Sequence, residues 1–127
     1  MVLYFYNQDG SPGCSLEAQR FQQGLPKFEE ANATVLGVSM DSVESHEGFC
    51  DEKGITFPLL SDEDGSVSRE YGAELSIPVF GKFSDRQTFL IDSTGKVRGH
   101  WLERDGSMAS VKTPEHVNQI LDALKEL

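Results

Sequence analysis

The chain has 127 residues, of which 38% are hydrophobic, and this length suits a single domain with one modest core. It contains no run of the roughly eighteen consecutive apolar residues that a membrane-spanning helix requires, which argues against a membrane protein. The net charge of −10 argues against nucleic acid as a partner, because phosphate binding requires clustered lysines and arginines.

The periodicity of apolar residues predicts alternating strands and helices. The predicted elements are, in chain order, a strand at residues 2–6, a helix at 12–30, a strand at 34–40, a helix at 43–53, a strand at 57–60, a helix at 66–71, strands at 87–91 and 96–102, and a final helix that starts at Pro114. Gly24 and Pro26 should bend or break the first helix, and Gly54 should end the second. Residues 75–85 and 104–112 carry the weakest patterns, and we predict surface loops there.

The resulting order, βαβαβαββα, predicts an α/β fold. Alternating strands and helices favour a parallel core sheet covered by helices, and the hairpin at residues 92–95 adds antiparallel strands. We therefore predict a mixed sheet of the thioredoxin type. Neither an internal repeat nor a Gly- and Ser-rich linker divides residues 1–127, so they should form one domain.

Cys14 and Cys50 are the only cysteines, too few for a fold held together by disulfides. They also lack the close pairing of a structural zinc site, and the three histidines are far apart in the sequence. We therefore expect no metal and no cofactor. The open question is whether these thiols are buried packing residues or reactive groups.

Cys14 falls where a turn leads into the first predicted helix. Ser11 suits the N-cap and Pro12 the first helical position, so Cys14 lies in the first turn. The positive potential there favours a thiolate, and unpaired backbone N–H groups can hold a peroxide oxygen that gains negative charge. The Ser11 hydroxyl is near enough in sequence to hydrogen bond to the thiolate. Position alone leaves open that Cys14 is inert packing.

Several segments match one family pattern. They are Tyr4 to Tyr6, Ser11 to Ala18, Gly37 to Ser39 with Asp41 and Ser42, Ser45 with His46, Phe57 to Asp62, Tyr71 with Gly72, and Arg86 to Asp92 with Gly95. Together they resemble the peroxiredoxin Q group, also called bacterioferritin comigratory protein, over nearly the whole chain up to Gly99. The resemblance implies a thioredoxin-like fold and a peroxidase that reduces hydrogen peroxide or small organic hydroperoxides.

The resemblance also implies site residues. Cys14 matches the peroxidatic cysteine, Ser11 the hydroxyl residue that contacts it, and Arg86 the arginine that stabilises thiolate and peroxide. Gly13 and Glu17 match supporting positions of the motif. For Glu17, a purely structural role is equally plausible, because the helix dipole favours an acid in the first helical turn. The family usually has proline where this chain has Asn7.

The position of Cys50 resembles that of the resolving cysteine in one subgroup of the family. The commoner resolving position, one turn after Cys14, is occupied by Gln19. The resemblance thus implies a Cys14–Cys50 disulfide, reduced by thioredoxin or a similar dithiol. Cys50 as a half-buried packing residue stays open, as do a one-cysteine peroxidase and a catalytically inactive thioredoxin-like interaction domain. A thiol–disulfide reductase is disfavoured because Cys14 starts no CxxC pair.

The remaining expectations concern the context of the chain. Family members carry further strands before the segment that matches residues 2–6, so we expect a domain without those strands. We expect a monomer. The compartment should be the cytoplasm in a bacterium and the chloroplast in a photosynthetic eukaryote.

Overall fold

The computed structural model describes all residues from Met1 to Leu127. It contains seven strands and four helices, in the order β1 (Val2–Phe5), α1 (Pro12–Glu30), β2 (Val35–Ser39), α2 (Val43–Lys53), β3 (Leu59–Ser61), α3 (Ser66–Glu70), β4 (Glu74–Ile77), β5 (Gly81–Ser84), β6 (Gln87–Ile91), β7 (Val97–Leu102) and α4 (Glu115–Leu124). None of the four helices combines the length and the apolar character needed to cross a membrane.

Five strands form one mixed sheet in the order β3-β2-β1-β6-β7. The pairs β1–β2 and β2–β3 are parallel, whereas β1–β6 and β6–β7 are antiparallel. The predicted parallel core with an added antiparallel hairpin is therefore confirmed. The central strand β1 has β2 on one side and β6 on the other, so the segments that follow β1 and precede β6 meet at the same end of the sheet.

The side chains of β1 alternate between two apolar clusters. Val2 and Tyr4, with Tyr6 just beyond the strand, point into the larger cluster, which α1 and α4 cover. Leu3 and Phe5 point to the opposite face, into a smaller cluster that contains Ala73 and Phe89. Burial of β1 on both faces fixes the register of the strand and therefore the position of the loop that follows it.

Helix α1 runs unbroken over the predicted residues, so Gly24 and Pro26 do not break it. Gly24 sits where a Cβ would lie 2.7 Å from the side chain of Val117 in α4, so close packing of the two helices accounts for this glycine. Helix α2 also has the predicted bounds, and Gly54 ends it in a left-handed conformation with φ of 68°.

The predicted loop at residues 75–85 is wrong, because this segment forms the separate two-stranded hairpin of β4 and β5. Leu75, Ile77 and Val79 do alternate with a period of two, but Pro78 and Gly81 interrupt the pattern and are typical of a loop. Val79, at the tip, is fully exposed and has a positive φ of 76°. The predicted loop at residues 104–112 does lack helix and strand, although Met108 and Val111 within it are buried.

Candidate active site

Cys14 lies in the first turn of α1, shortly after the end of β1. Ser11 is the N-cap residue in extended conformation, and Pro12 follows in the first turn, as predicted. The first hydrogen bond of the helix runs from the Ser15 N–H to the Ser11 carbonyl at 2.8 Å, so the amide groups of Gly13 and Cys14 have no helical partner. Two free N–H groups thus lie at the end of the helix that carries the cysteine, which is only 1% exposed.

Arg86 joins Cys14 to two carboxylates. Its Nη2 donates to the Cys14 Sγ at 3.2 Å, and its Nη1 donates to Glu17 Oε1 at 2.6 Å. The third nitrogen, Nε, lies 2.9 Å from Glu103 Oε2 without the alignment of a hydrogen bond. Arg86 directly precedes β6, whose first residue Gln87 pairs with Phe5 of β1, so the sheet register brings the guanidinium to the cysteine.

The guanidinium is a buried and permanent charge. Burial by itself lowers the pKa of Arg86, but Glu17, Cys14 and Glu103 outweigh burial and raise it. Burial raises the pKa of Glu17 to about 7, although the charge and hydrogen bond of Arg86 oppose the rise. The sulfur of Cys14 therefore has a fixed cation beside it, and this cation is balanced by a carboxyl group that titrates near neutrality.

Two polar atoms next to this network have no partner. The Glu17 Oε2 atom and the Tyr4 hydroxyl are both buried and make no hydrogen bond. Burial, together with the charges of Glu17 and Cys14 among others, raises the pKa of Tyr4 well above its ordinary value, so the phenol stays neutral. The Tyr4 ring stacks on the Phe21 ring with centroids 4.4 Å apart, and this contact packs β1 against α1.

The expected contact between Ser11 and Cys14 is not formed. The Ser11 hydroxyl instead donates to the Gln8 carbonyl at 3.1 Å, and it makes no capping hydrogen bond. The extended backbone of Ser11 and the turn at Gln8 direct the hydroxyl back into the loop. Gly13, in contrast, leaves room for the Arg86 guanidinium, because a Cβ at residue 13 would lie 3.2 Å from Nη2.

Cys50 is half-buried on α2 and packs against the larger apolar cluster that contains Cys14. Both thiols are free. Burial, followed by the negative charges of Asp9 and Asp51, raises the pKa of Cys50. It lines a surface pocket of about 420 Å³ together with His46 and Leu59. Cys50 therefore has the properties of a protonated thiol with some access to solvent.

Sequence reasoning missed an ion pair between the loop before α1 and helix α2. Asp9 Oδ2 lies 2.7 Å from His46 Nδ1, and both side chains are buried. The ligand atoms of Asp9, Asp41 and His46 lie within 4.8 Å of one another, so they are the residues that could hold a metal ion. Hydrogen bonds within the group already use these atoms, so a metal would have to displace them.

A second buried histidine links α4 to the sheet. The two ring nitrogens of His116 lie 2.9 Å from Thr88 Oγ1 and 2.9 Å from Gln119 Oε1. Burial lowers the pKa of His116, the hydrogen bond that the ring donates to Gln119 opposes the shift, and the nearby charge of Arg86 adds to it, so the ring is neutral. Trp101 meets it edge to face at 6.1 Å, and the indole lies over Gly99, where a Cβ would be 2.5 Å away.

Nothing in the sequence distinguished Glu103, which lies just after β7 among other charged residues. Asp9 is equally unmarked, since acids in turns are common and usually solvated. His46 was visible as part of the family motif, but its partner in the loop depends on how the chain folds.

Comparison with known proteins identifies the family. The model of the AhpC/TSA family matches residues 1–100. The chain belongs to the AhpC/TSA family. Peroxiredoxin Bcp of Xanthomonas campestris is 39% identical to this AhpC/TSA chain over 128 residues, which cover 98% of the chain and 76% of the relative. The chloroplastic peroxiredoxin Q of Sedum lineare is 40% identical over 98 residues, covering 77% of the chain and 52% of the relative.

Solved structures agree with this family and with the predicted thioredoxin-like fold. The bacterioferritin comigratory protein of Xanthomonas campestris, whose alkyl peroxide reduction activity was analysed in trapped intermediate and ligand complexes, superposes with a TM-score of 0.85 at 36% identity and covers 98% of this chain and 76% of its own. Peroxidoxin BcpB of Mycobacterium tuberculosis gives a TM-score of 0.86 at 30% identity, covering 99% and 78%. This AhpC/TSA chain is thus a thiol-dependent peroxidase of the peroxiredoxin Bcp and Q group, whose members occur in bacteria and chloroplasts.

Proposed function

We propose that Cys14 is the peroxidatic residue. Its thiolate attacks one oxygen of hydrogen peroxide or an organic hydroperoxide, the O–O bond breaks, and the leaving hydroxide or alkoxide takes up a proton from solvent. Cys14 becomes a sulfenic acid, and the peroxide is reduced to water or an alcohol. The observation that carries this assignment is the 3.2 Å hydrogen bond from the Arg86 guanidinium to the Cys14 sulfur.

Arg86 acts in two ways in this proposal. It favours the thiolate of Cys14 in the ground state, because a fixed cation stabilises the charged sulfur. It also offers N–H groups to the peroxide oxygen as charge moves from sulfur to oxygen, and the free amides of Gly13 and Cys14 add to that stabilisation. Glu17 orients the guanidinium through its 2.6 Å hydrogen bond and is a positioning residue.

Substrates enter, in this proposal, beside the loop that precedes α1. A pocket of about 160 Å³ there is lined by Ser11 and by three apolar side chains of the β4–β5 hairpin, Leu75, Ile77 and Phe83. An apolar wall near the N-terminus of α1 suits the alkyl part of a small organic hydroperoxide. A surface groove of about 590 Å³ between the ends of α1 and α4 contains none of the proposed site residues.

Cys50 resolves the oxidised enzyme. Its sulfur attacks the sulfenic sulfur of Cys14, water leaves, and an intramolecular disulfide forms. The raised pKa of Cys50 supports this division of roles, because a protonated thiol does not compete with Cys14 for peroxide. A dithiol protein such as thioredoxin then reduces the disulfide by exchange. The cycle needs one chain only, so a monomer is sufficient.

A one-cysteine cycle is the second candidate, in which an external thiol resolves Cys14. It is favoured by the packing of Cys50 against the apolar core. Disulfide geometry requires Cα atoms within about 7 Å, and in the proposed two-cysteine cycle the helices that carry the two cysteines open to reach it.

Intact-mass spectrometry after one equivalent of hydrogen peroxide, followed by peptide mapping, tests the proposal. We expect the loss of two hydrogens and a link between the Cys14 and Cys50 peptides. Cys14→Ser should consume no peroxide, whereas Cys50→Ser should react once and retain oxygen on Cys14. Oxygen on Cys14 without a link in the unaltered chain would establish the one-cysteine cycle, and no change at Cys14 would overturn its assignment.

A further inference from the structure

The loop between β1 and α1 is fastened to helix α2 at a single acidic residue. Asp9 accepts hydrogen bonds from Tyr6 at 2.6 Å, from Ser45 at 2.8 Å and from His46 at 2.7 Å. Its own backbone N–H donates to Asp41 at 2.9 Å. This loop leads directly into the turn that carries Cys14, and His46 lies one helical turn before Cys50. The fastening therefore connects the two segments that hold the cysteines.

The partners of His46 define its protonation state. The Nε2 atom lies 3.0 Å from the Leu60 carbonyl oxygen, which can only accept a hydrogen bond. The Nδ1 atom faces the Asp9 carboxylate, which also accepts. Protons on both ring nitrogens satisfy both of these acceptors, so the geometry favours an imidazolium whose contact with Asp9 is an ion pair.

We propose that the Asp9–His46 ion pair is a clasp that positions the Cys14 segment against the Cys50 helix and sets how fast the two cysteines reach each other after peroxide has reacted. This proposal rests on the assignment of Cys14 as the peroxidatic and Cys50 as the resolving residue. The clasp touches neither sulfur, so both of its members are positioning residues. It acts on disulfide formation and leaves the reaction with peroxide to Arg86.

The reason is mechanical. Cys14 is only 1% exposed, and α1 packs chiefly against α4, whereas α2 packs against β3. In the two-cysteine cycle we expect the first turn of α1 to leave its place before the two sulfurs meet. The loop that contains Asp9 leads into that turn and moves with it. Breaking a buried, hydrogen-bonded ion pair adds to the free energy of that local opening. Releasing the clasp should therefore accelerate opening.

The test separates the two chemical steps in a single turnover. Samples are quenched at intervals after one equivalent of hydrogen peroxide, and mass spectrometry counts sulfenic acid and disulfide. We expect His46→Gln and Asp9→Asn to leave the appearance of sulfenic acid within about twofold and to speed disulfide formation by about threefold to tenfold. The double variant should be no faster than either single one, because each breaks the same ion pair.

Two further variants show whether the ion pair itself controls the rate. Ser45→Ala removes one hydrogen bond to Asp9 but keeps the ion pair, so it should accelerate disulfide formation in the same direction by a smaller factor. Glu47→Gln removes an exposed charge next to His46 that lines the same pocket and should change neither step. Circular dichroism checks that each variant folds.

Several outcomes overturn the proposal. One is that His46→Gln and Asp9→Asn form the disulfide at the rate of the unaltered chain. Another is that both variants change the rates of sulfenic acid formation and disulfide formation by the same factor. If Glu47→Gln accelerated disulfide formation equally, the cause would be a general effect of charge and not the Asp9–His46 ion pair. Failure of the unaltered chain to form the Cys14–Cys50 disulfide would refute the two-cysteine cycle itself, and this result is visible before any clasp variant is made.

Discussion

Gly13 lies directly beneath the Arg86 guanidinium, where a Cβ atom would be 3.2 Å from Nη2. That distance is shorter than nine in ten real Cβ contacts, so a side chain at residue 13 has to displace the nitrogen that donates to Cys14. The glycine of the active-site turn thus has a steric function, independent of backbone flexibility.

Gly13→Ala should therefore separate activity from stability. Alanine favours a helix over glycine by about 0.5–1 kcal/mol, so the variant should be as stable as the unaltered chain or slightly more stable. The rate of Cys14 oxidation should fall by about tenfold, the loss expected from weakening one charged hydrogen bond in the transition state.

Gly48→Ala is the matched control, because Gly48 is exposed on α2 and a Cβ there meets nothing within 4 Å. It should gain similar stability with an unchanged rate. Urea unfolding and rapid-quench measurement of Cys14 oxidation check both variants. If Gly13→Ala left the rate of Cys14 oxidation unchanged, a side chain at residue 13 would not disturb Arg86.

Arg86→Lys should lose most of the activity that Arg86→Ala loses. A lysine carries the charge but has one nitrogen, which cannot hold both Cys14 and Glu17 as the guanidinium fork does. We expect Cys14 oxidation to slow by about a hundredfold or more in either variant. Arg104→Ala, which removes an exposed arginine paired with Asp85, is the control and should react normally. A near-normal rate in Arg86→Lys would show that charge alone suffices.

Glu17 should make folding stability depend on pH near neutrality. Its pKa in the folded chain is about 7, above the ordinary value of 4.5, so the folded chain keeps a proton that the unfolded chain releases between these values. Stability from this group is therefore lost as pH rises through that range.

In Glu17→Gln this titration is absent. The free energy of unfolding of the variant, minus that of the unaltered chain, should increase between pH 5 and 8 by on the order of 2 kcal/mol. Subtraction removes the contributions of groups common to both proteins. Urea unfolding at four pH values checks the slope, and a flat difference would mean that Glu17 is ionised throughout.

Gly37→Ala should destabilise the fold. A Cβ at this position of β2 would lie 2.7 Å from the Leu59 side chain and 2.9 Å from the Tyr4 ring, which is fully buried. Overpacking of a filled core costs about 1–3 kcal/mol, and urea unfolding measures it. The Tyr4 ring stacks on Phe21 of α1, so displacing it should also slow Cys14 oxidation. An unchanged midpoint of urea unfolding would show that the core accommodates the extra methyl group.

Local pattern was enough to predict most of the fold. The bounds of α1 and α2 follow from residues near them, namely Ser11 with Pro12 and the terminal Gly54. The β4–β5 hairpin was missed because Pro78 and Gly81 around its turn are typical of a loop. The contact of Cys14 with Arg86 was foreseen through the family motif, whereas Glu103 and the Asp9–His46 pair depend on sheet register and on how a loop meets a distant helix.

The position of Trp101 has a practical consequence. It is the one tryptophan of the chain, and it lies on β7 opposite Thr88 and edge to face with the neutral ring of His116. Any shift of β6 near Arg86, or of α4 against α1, changes the surroundings of this indole. Its ultraviolet emission therefore comes from one known place, and a change in intensity or colour during a turnover can be assigned to that place without a dye or label.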